Sequence, residues 1–484
     1  MKTPTELTRP IHSLLIIFLL LLLYMHFQVK AQELHKGFSA TPDSSSKSFQ
    51  PLLTDSSNNF SLGFLRVNRS QLTLAILHLP SSEPTWFVNT TRNLEWSKNN
   101  KLLFNGSLVL SNSHEGVLWS TQSANGNTLL LHNNSNLQIL DSDSVITWQS
   151  FDHPTNTLVQ NQNFTSEMSL VSSNGQFEMK LGDNFIGLYS TFEQDSKQIY
   201  WKHTAMQAKA EIVQGNGPLY SQISLHGYLG TYQTENAPVD VLPFDSFQRP
   251  VTGIRRLKLE SDGNLQAYYW NGMSWLLDFK AISEECELPS SCGSYGLCKP
   301  GKNCECLNNK TEYNHSSGEE CFSSQTGNFC EEKEEGFWVL RRNGVDLPYK
   351  ELMEFEQMDS LDACEDSCEK NCSCWGSVFN NVTGYCYKID YPIQSLVSVG
   401  DENKIGYFKV RTVVEKKRHV GYVIGIGILV CAVLMFFAVA GFGALRIWNR
   451  RTRVNWFVHD DGISPGPYRD LGSGSFRSVE LCKS

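Results

Sequence analysis

The chain of 484 residues has no cysteine before Cys286, although it has fourteen in all. Whatever folds ahead of that position relies on apolar burial, without cross-links or thiolate-bound metal. Charge is also sparse, at 19% of residues with a net of −9, and no long basic stripe interrupts the part before the second apolar run. That excludes a nucleic-acid binder whose affinity rests on neutralising phosphates. Metalloprotease, hydrolase and dinucleotide signatures are missing too. Ser150, Asp152 and His153 are close in sequence, but neighbours on a strand point to opposite faces, so they make no triad. No catalytic, cofactor-binding or metal-binding residue is expected. Long apolar runs are confined to two places.

The first follows Lys2 and Arg9, runs from Leu14 to Tyr24, and is succeeded by Val29-Lys30-Ala31, a small-x-small cleavage site. Residues 1–31 therefore read as a signal peptide; the rival, a retained anchor, has too short an apolar core for a slab of about 30 Å. The second, 420–445, carries no charged side chain over 26 positions and is long enough for a transmembrane helix with some tilt. Its flanks nearly balance, Lys416, Lys417 and Arg418 against Arg446, Arg450, Arg451 and Arg453, so orientation follows mainly from the signal peptide. Ten N-x-Ser/Thr sequons, at Asn59, Asn68, Asn89, Asn105, Asn133, Asn163, Asn309, Asn314, Asn371 and Asn381, all precede this span. They agree with an outside ectodomain. Gly421 and Gly425 form a small-xxx-small pair at the outer end, a spacing that serves helix pairing or simply faces lipid.

From Gln32 to about Ile282, short apolar stretches alternate with Asn, Gly, Ser and Asp, and helical periodicity is slight. Many short strands are predicted. Leu102 to Leu110 is echoed at Leu129 to Leu140, Val171 to Leu181 and Leu257 to Tyr269, a sign of internal repetition. Trp119, Trp148, Trp201 and Trp270 read as core.

Cysteines then crowd together. Cys286, Cys292, Cys298, Cys304, Cys306 and Cys321 occupy 36 residues, too few for a sizeable core, so the segment needs disulfide staples. Zinc is the rival reading of Cys304-Glu305-Cys306, disfavoured in an oxidising lumen. Cys330, Cys364, Cys368, Cys372, Cys374 and Cys386 follow. Cys364 and Cys368 stand four apart in a helix-like stretch, which puts both sulfurs on one face, able to pin it to a sheet. Cys431 and Cys482 are expected to stay reduced.

Asn59-Phe60-Ser61-Leu62-Gly63-Phe64, Gly116-Val117-Leu118-Trp119-Ser120 and Trp148-Gln149-Ser150-Phe151-Asp152-His153-Pro154-Thr155-Asn156-Thr157-Leu158 resemble the bulb-type (G-type) lectin segment of plant S-domain receptor-like kinases and S-locus glycoproteins. The resemblance covers about residues 33–411. It implies tandem β-prism domains at 32–155 and 156–282, the second closed by Arg256 to Leu265. It also implies an EGF-like module at 286–321, on Cys292-Gly293-Ser294-Tyr295-Gly296-Leu297-Cys298, with 1–3, 2–4, 5–6 pairing. Cys364 to Cys374, Gly384-Tyr385-Cys386 and Gly406-Tyr407-Phe408-Lys409-Val410 resemble a PAN/apple α+β domain at 330–411, a module for protein or carbohydrate contacts. Bulb lectins hold mannose on a Q-x-D-x-N-x-V-x-Y strand. The nearest match is Glu260-x-Asp262-x-Asn264-x-Gln266-x-Tyr268, with Glu for Gln and Gln for Val. Glu260, Asp262, Asn264 and Tyr268 are thus a degenerate sugar site, and Asp262-Gly263-Asn264 equally reads as a hairpin turn.

The tail, 446–484, holds Leu471 to Val479, which resembles a kinase glycine-rich loop, but Arg477 stands at the third glycine and no kinase strand with its lysine, or metal-binding Asp, is expected after it. It is expected to be disordered and inactive. The reading is a mainly β, type I plasma-membrane glycoprotein without catalysis. Its ligand would be a glycan, glycoprotein or peptide outside the cell, its partner a receptor kinase or a second copy. The alternatives are a cell-wall contact protein or a ligand decoy.

Overall fold

The computed structural model describes residues 33–453 apart from position 69 and the stretches 91–93, 123–124, 193–195, 205–218, 235–236, 302–303, 309–320, 322–328, 331–336 and 412–419. The signal peptide reading of 1–31 therefore lies outside the described residues, as do Asn309, Asn314, Cys482 and the glycine-rich string of the tail.

The first part of the chain forms three antiparallel sheets. Sheet I pairs Phe49–Thr54, Phe60–Arg66, Gln71–His78 and Glu83–Phe87, with Leu94–Glu95 on the Gln71 side. Sheet II pairs Ser39–Ala40, Asn100–Phe104, Leu108–Asn112 and Gly116–Ser120. Sheet III pairs Glu33–His35, Thr128–Leu131, Leu137–Leu140 and Ile146–Gln149. The period-two alternation sends Leu102, Phe104, Leu108 and Leu110 inward from sheet II, and Leu129, Leu131, Leu137 and Ile139 inward from sheet III. Together with Leu62, Phe64, Leu74 and Ile76 of sheet I they make one cysteine-free core. Trp86, Trp119 and Trp148 meet edge to face within it, with ring centroids 5.9–6.3 Å apart.

Three more antiparallel sheets follow. Sheet IV pairs Thr157–Val159, Arg255–Leu259, Leu265–Trp270 and Trp275–Lys280. Sheet V pairs Phe164–Thr165, Tyr220–Ser224, Tyr228–Thr234 and Ala237–Pro243. Sheet VI pairs Leu170–Val171, Phe177–Leu181, Phe185–Thr191 and Lys197–Thr204. The four echoed stretches of the sequence are four hairpins, one each in sheets II, III, VI and IV. Their likeness is that of one repeated local structure.

Among its described residues the cystine segment contains a short 3-10 turn, Glu285–Glu287, a two-stranded pair, Gly296–Leu297 with Glu305–Cys306, and three disulfides, Cys286–Cys298, Cys292–Cys304 and Cys306–Cys321. Beyond it, Phe337–Asn343, Lys404–Arg411, Gly376–Asn380, Tyr385–Ile389 and Glu356–Gln357 form a five-stranded sheet crossed by the helix Leu361–Lys370. Ser360 caps that helix, its Oγ accepting the Ala363 N–H at 3.2 Å. Cys364–Cys386 and Cys368–Cys374 bind its inner face, and Cys330–Cys372 closes the module. The second set of sheets, the cystine segment and this module share their main core, beside small clusters around the cystines. Leu257, Tyr295, Leu297, Trp375, Tyr391 and Phe408 belong to one continuous apolar cluster.

The C-terminal helix, Val420–Arg453, is a unit by itself. It is long and apolar enough to cross a membrane. It runs on past Leu445 to Arg453, so the tail expected to be disordered from 446 begins in helix. Arg446, Arg450, Arg451 and Arg453 continue the hydrogen-bonded ladder of the apolar residues, and arginine is itself a good helix former. Cys431 in this helix is unpaired.

Candidate carbohydrate-contact hairpins

Glu260, Asp262, Asn264, Gln266 and Tyr268 do not lie on one strand. Arg255–Leu259 ends before Glu260 and Leu265–Trp270 begins after Asn264, with Gly263 at φ +87° in the turn between them. Asp262 serves this turn, its Oδ1 accepting the Asn264 N–H at 2.9 Å. Asn264 is fully buried, and both ends of its amide are spent on one residue: Nδ2 donates to Ile282 O at 2.8 Å and Oδ1 accepts from Ile282 N at 3.1 Å. It closes the sheet edge and is unavailable to a sugar. Glu260, Gln266 and Tyr268 do come together on the surface. The Tyr268 hydroxyl lies 2.9 Å from Glu260 Oε1 and 2.5 Å from Gln266 Oε1, and Lys258 Nζ is 2.6 Å from Glu260 Oε2. Partial burial, with Glu260 close by, raises the pKa of this phenol, so it stays a donor. The five positions thus split into a two-residue turn lock and a three-residue polar cluster.

The same hairpin recurs in sheet III, where spacing was the only cue. His132, Asn134, Asn136 and Gln138 take the places of Glu260, Asp262, Asn264 and Gln266. Ser135 has φ +72°, Asn136 N donates to Asn134 Oδ1 at 3.1 Å, and His132 N donates to Asn136 O at 2.9 Å, as Glu260 N does to Asn264 O. Asn136 is again buried. Around it runs a half-exposed polar ladder: His132 Nε2 is 2.7 Å from Gln138 Oε1, Gln138 Nε2 donates to Gln149 Oε1 at 3.1 Å, Asn136 Nδ2 to the same oxygen at 2.9 Å, and Gln149 Nε2 to Asp152 Oδ1 at 2.8 Å. Such a row of amides, with an imidazole and a carboxylate at its ends, offers paired donors and acceptors to vicinal hydroxyls. Sequence reading missed it because Asn136 alone keeps the motif, with His132, Asn134, Gln138 and Leu140 standing where it has Gln, Asp, Val and Tyr.

Ser150, Asp152 and His153 are held apart by other tasks. Ser150 Oγ accepts from Leu137 N at 2.9 Å, Asp152 terminates the amide ladder, and the His153 ring stacks on Trp148 while its carbonyl accepts from Trp86 Nε1 at 2.8 Å. Eight of the ten sequon asparagines are described; seven are exposed and Asn371, at the end of the helix Leu361–Lys370, is half-buried.

His78 joins the two sets of sheets. Its ring lies 4.9 Å from Trp270, 5.2 Å from Trp275 and 5.3 Å from Phe60, with Nδ1 2.9 Å from Ser81 Oγ. Arg256 stacks over Trp275 at 4.0 Å and pairs with Glu83 at 2.5 Å. Desolvation in this joint, with the Arg256 charge adding to it, pulls the His78 pKa down to about 4.

Sheet hairpins of lectin type, followed by a cystine segment and a helix-on-sheet module, define a lectin-like chain with a PAN-like module. A D-mannose binding lectin model matches residues 84–176, the S-locus glycoprotein domain matches 228–311 and a PAN-like domain matches 330–388. The chain is 48% identical over 480 residues to a PAN domain-containing protein of Arabidopsis thaliana, covering 96% of this chain and 98% of that one, and it belongs to that protein's family. It is 27% identical to the G-type lectin S-receptor-like serine/threonine-protein kinase SD2-5 of Arabidopsis thaliana, over 73% of this chain and 44% of the kinase. With EP1-like glycoprotein 3 of the same plant it shares 25% identity, over 73% of this chain and 85% of the relative. The chain spans about half the length of the receptor kinases it matches.

Proposed function

We propose that this protein is a membrane-anchored, non-enzymatic recognition protein whose ectodomain, built as tandem β-prisms with an EGF-like module and a PAN domain, binds a glycan or glycoprotein outside the cell. The half-exposed ladder His132–Gln138–Gln149–Asp152 carries the reading, because it sets polar side chains in a row on a rigid hairpin where the Glu260–Tyr268 hairpin presents a smaller cluster. Simple mannosides bind weakly at the Glu260–Tyr268 hairpin, since Asn264 is committed to Ile282. The anchor and the kinship to receptor kinases support action beside a kinase-bearing partner at the plasma membrane.

The test is glycan-array binding by full-length protein in detergent micelles. Gln149→Ala is expected to weaken the best ligand at least tenfold while lowering the melting point by only a few degrees, through the Asn136 amide left without its acceptor, and Tyr268→Phe leaves binding within twofold. Equal binding by Gln149→Ala would reject the ladder as the site. Proximity labelling in plant cells addresses the partner: recovery of receptor kinases supports co-reception, and recovery of wall proteins alone rejects it.

A further inference from the structure

Sheet V carries an aromatic outer face with a glycosylation sequon at its edge. By register, Thr165, Tyr220 and Tyr232 stand in one row across the sheet, and Gln222 and Gly230 are paired in the next. Extending the pairing of Phe164 with Ser221 by one residue brings Asn163 beside Gln222, on the face of the tyrosines. Tyr220 and Tyr232 stack with ring centroids 5.3 Å apart. The hydroxyls of Tyr228 and Tyr232 are 3.5 Å apart across Gly230, and a Cβ on Gly230 would meet the Tyr232 ring at 2.7 Å. The glycine is therefore what lets the ring lie flat along the sheet.

Asn163-Phe164-Thr165 is the sequon. Asn163 is exposed, and its orientation is fixed: Gln222 Nε2 donates to its Oδ1 at 2.8 Å and to Asn161 O at 3.3 Å. With Oδ1 held on Gln222, Nδ2, the atom that carries an N-linked sugar, is the end of the amide left to this border of the aromatic face.

We propose that Asn163 is glycosylated and that the first sugars of its glycan lie on the Tyr220–Tyr232 face as a permanent cover. Attachment joins Asn163 Nδ2 to C1 of the sugar of a lipid-diphosphate-linked oligosaccharide; the C1–oxygen bond breaks, the lipid diphosphate leaves, and the amide nitrogen loses one proton. The apolar C–H face of a pyranose then packs on the tyrosine rings, removing apolar surface from water, while Gln222 remains beside the linkage. This inference rests on the extracellular reading given above.

Full-length protein expressed in plant cells and kept high-mannose by a mannosidase inhibitor gives the test. Site-resolved mass spectrometry during digestion of the native protein by an endoglycosidase that cuts within the core should find Asn163 occupied and trimmed at least tenfold more slowly than Asn105 and Asn381. In Tyr232→Ala, or in Tyr220→Ser at a strand end should the first fail to fold, trimming at Asn163 should rise toward the rate at the other sites. An unoccupied Asn163 with other sequons filled overturns the proposal alone. Unfilled sequons throughout overturn it together with the extracellular reading. Trimming at Asn163 as fast as at Asn381 in the unaltered protein rejects the cover.

Discussion

At the scale of single residues, the two hairpin asparagines show how a binding motif can survive as architecture. Asn264 satisfies both backbone groups of Ile282 from a fully buried position. Removing the amide leaves a buried N–H and a buried C=O unpaired, at about 1–3 kcal/mol for each group left without a partner. Asn264→Ala should therefore lower the melting point of the second set of sheets by several degrees, whereas Glu260→Gln on the surface cluster should shift it by about one degree or less; thermal unfolding followed by tryptophan fluorescence measures both. His78 supplies a pH dependence of known sign. Its folded pKa, about 4, is below the ordinary value near 6.5, so between those limits the unfolded chain binds the extra proton. Stability from this group is complete above about pH 6.5, falls as pH drops toward 4, and changes no further below that. The full loss is on the order of 3 kcal/mol. Urea unfolding at pH 7 and pH 4.5 should show that difference shrink in His78→Phe, which keeps a ring among Phe60, Trp270 and Trp275; an undiminished slope would assign the titration elsewhere.

At the scale of elements, the helix Leu361–Lys370 is fixed at both ends and on one face by separate devices. Ser360 caps its start and Cys364 and Cys368 tether its inner face. Its last carbonyls converge on a buried lysine, with Lys409 Nζ 2.8 Å from Cys368 O, 3.0 Å from Asn371 O and 3.4 Å from Glu369 O. Phe337 and Phe329 flank the ammonium at 5.0 and 5.6 Å. Burial lowers the Lys409 pKa, while Glu369 acts to raise it. A cation at a helix C-terminus in such surroundings complements the helix dipole. Lys409→Met keeps the aliphatic stem but leaves these carbonyls without their donor, and should cost about 2–3 kcal/mol, read as a lower midpoint in denaturant at unchanged slope. The helix was legible in the stretch Ser360 to Cys368, on which a spacing of four puts both sulfurs on one face. The lysine was not, since Gly406-Tyr407-Phe408-Lys409-Val410 reads as an ordinary strand until the carbonyls opposite are known. The hairpins divide in the same way. Alternation around Leu102–Leu110 and Leu129–Leu140 was readable as strand. The turn between Glu260 and Tyr268 was readable too, from Asp262-Gly263-Asn264, whereas the commitment of Asn264 to the backbone of Ile282 was not, because its partner lies on the far side of the next strand.

At the scale of the molecule, the placement of cysteine and the placement of core make one measurable statement. The first three sheets hold a core of their own and no disulfide. The other three share a core with the cystine segment and the PAN module, where all six bridges lie. A shared core couples unfolding, because opening any one part exposes apolar surface on the others. A bridge stabilises mainly by restricting the unfolded chain, typically by 2–4 kcal/mol, and that restriction reaches only the unit containing it. Between the two sets of sheets stand Arg256 on Glu83, the ring cluster around His78, Gln162 Nε2 on Phe151 O and Ile254 against the first core, a joint that lacks a shared aliphatic cluster and so permits two cooperative steps. Calorimetry of the purified protein should accordingly resolve two ectodomain transitions. Thiol reductant should lower one of them by ten degrees or more and leave the other within about two degrees, with hydrogen exchange assigning the resistant one to residues 33–150. Arg256→Met should move the transitions independently of reductant, by weakening the joint without touching a cystine. A single transition, or two that fall together on reduction, would mean that the joint transmits stability as fully as a continuous core does, and the division of this ectodomain into a cysteine-free lectin unit and a cystine-locked unit would have to be abandoned.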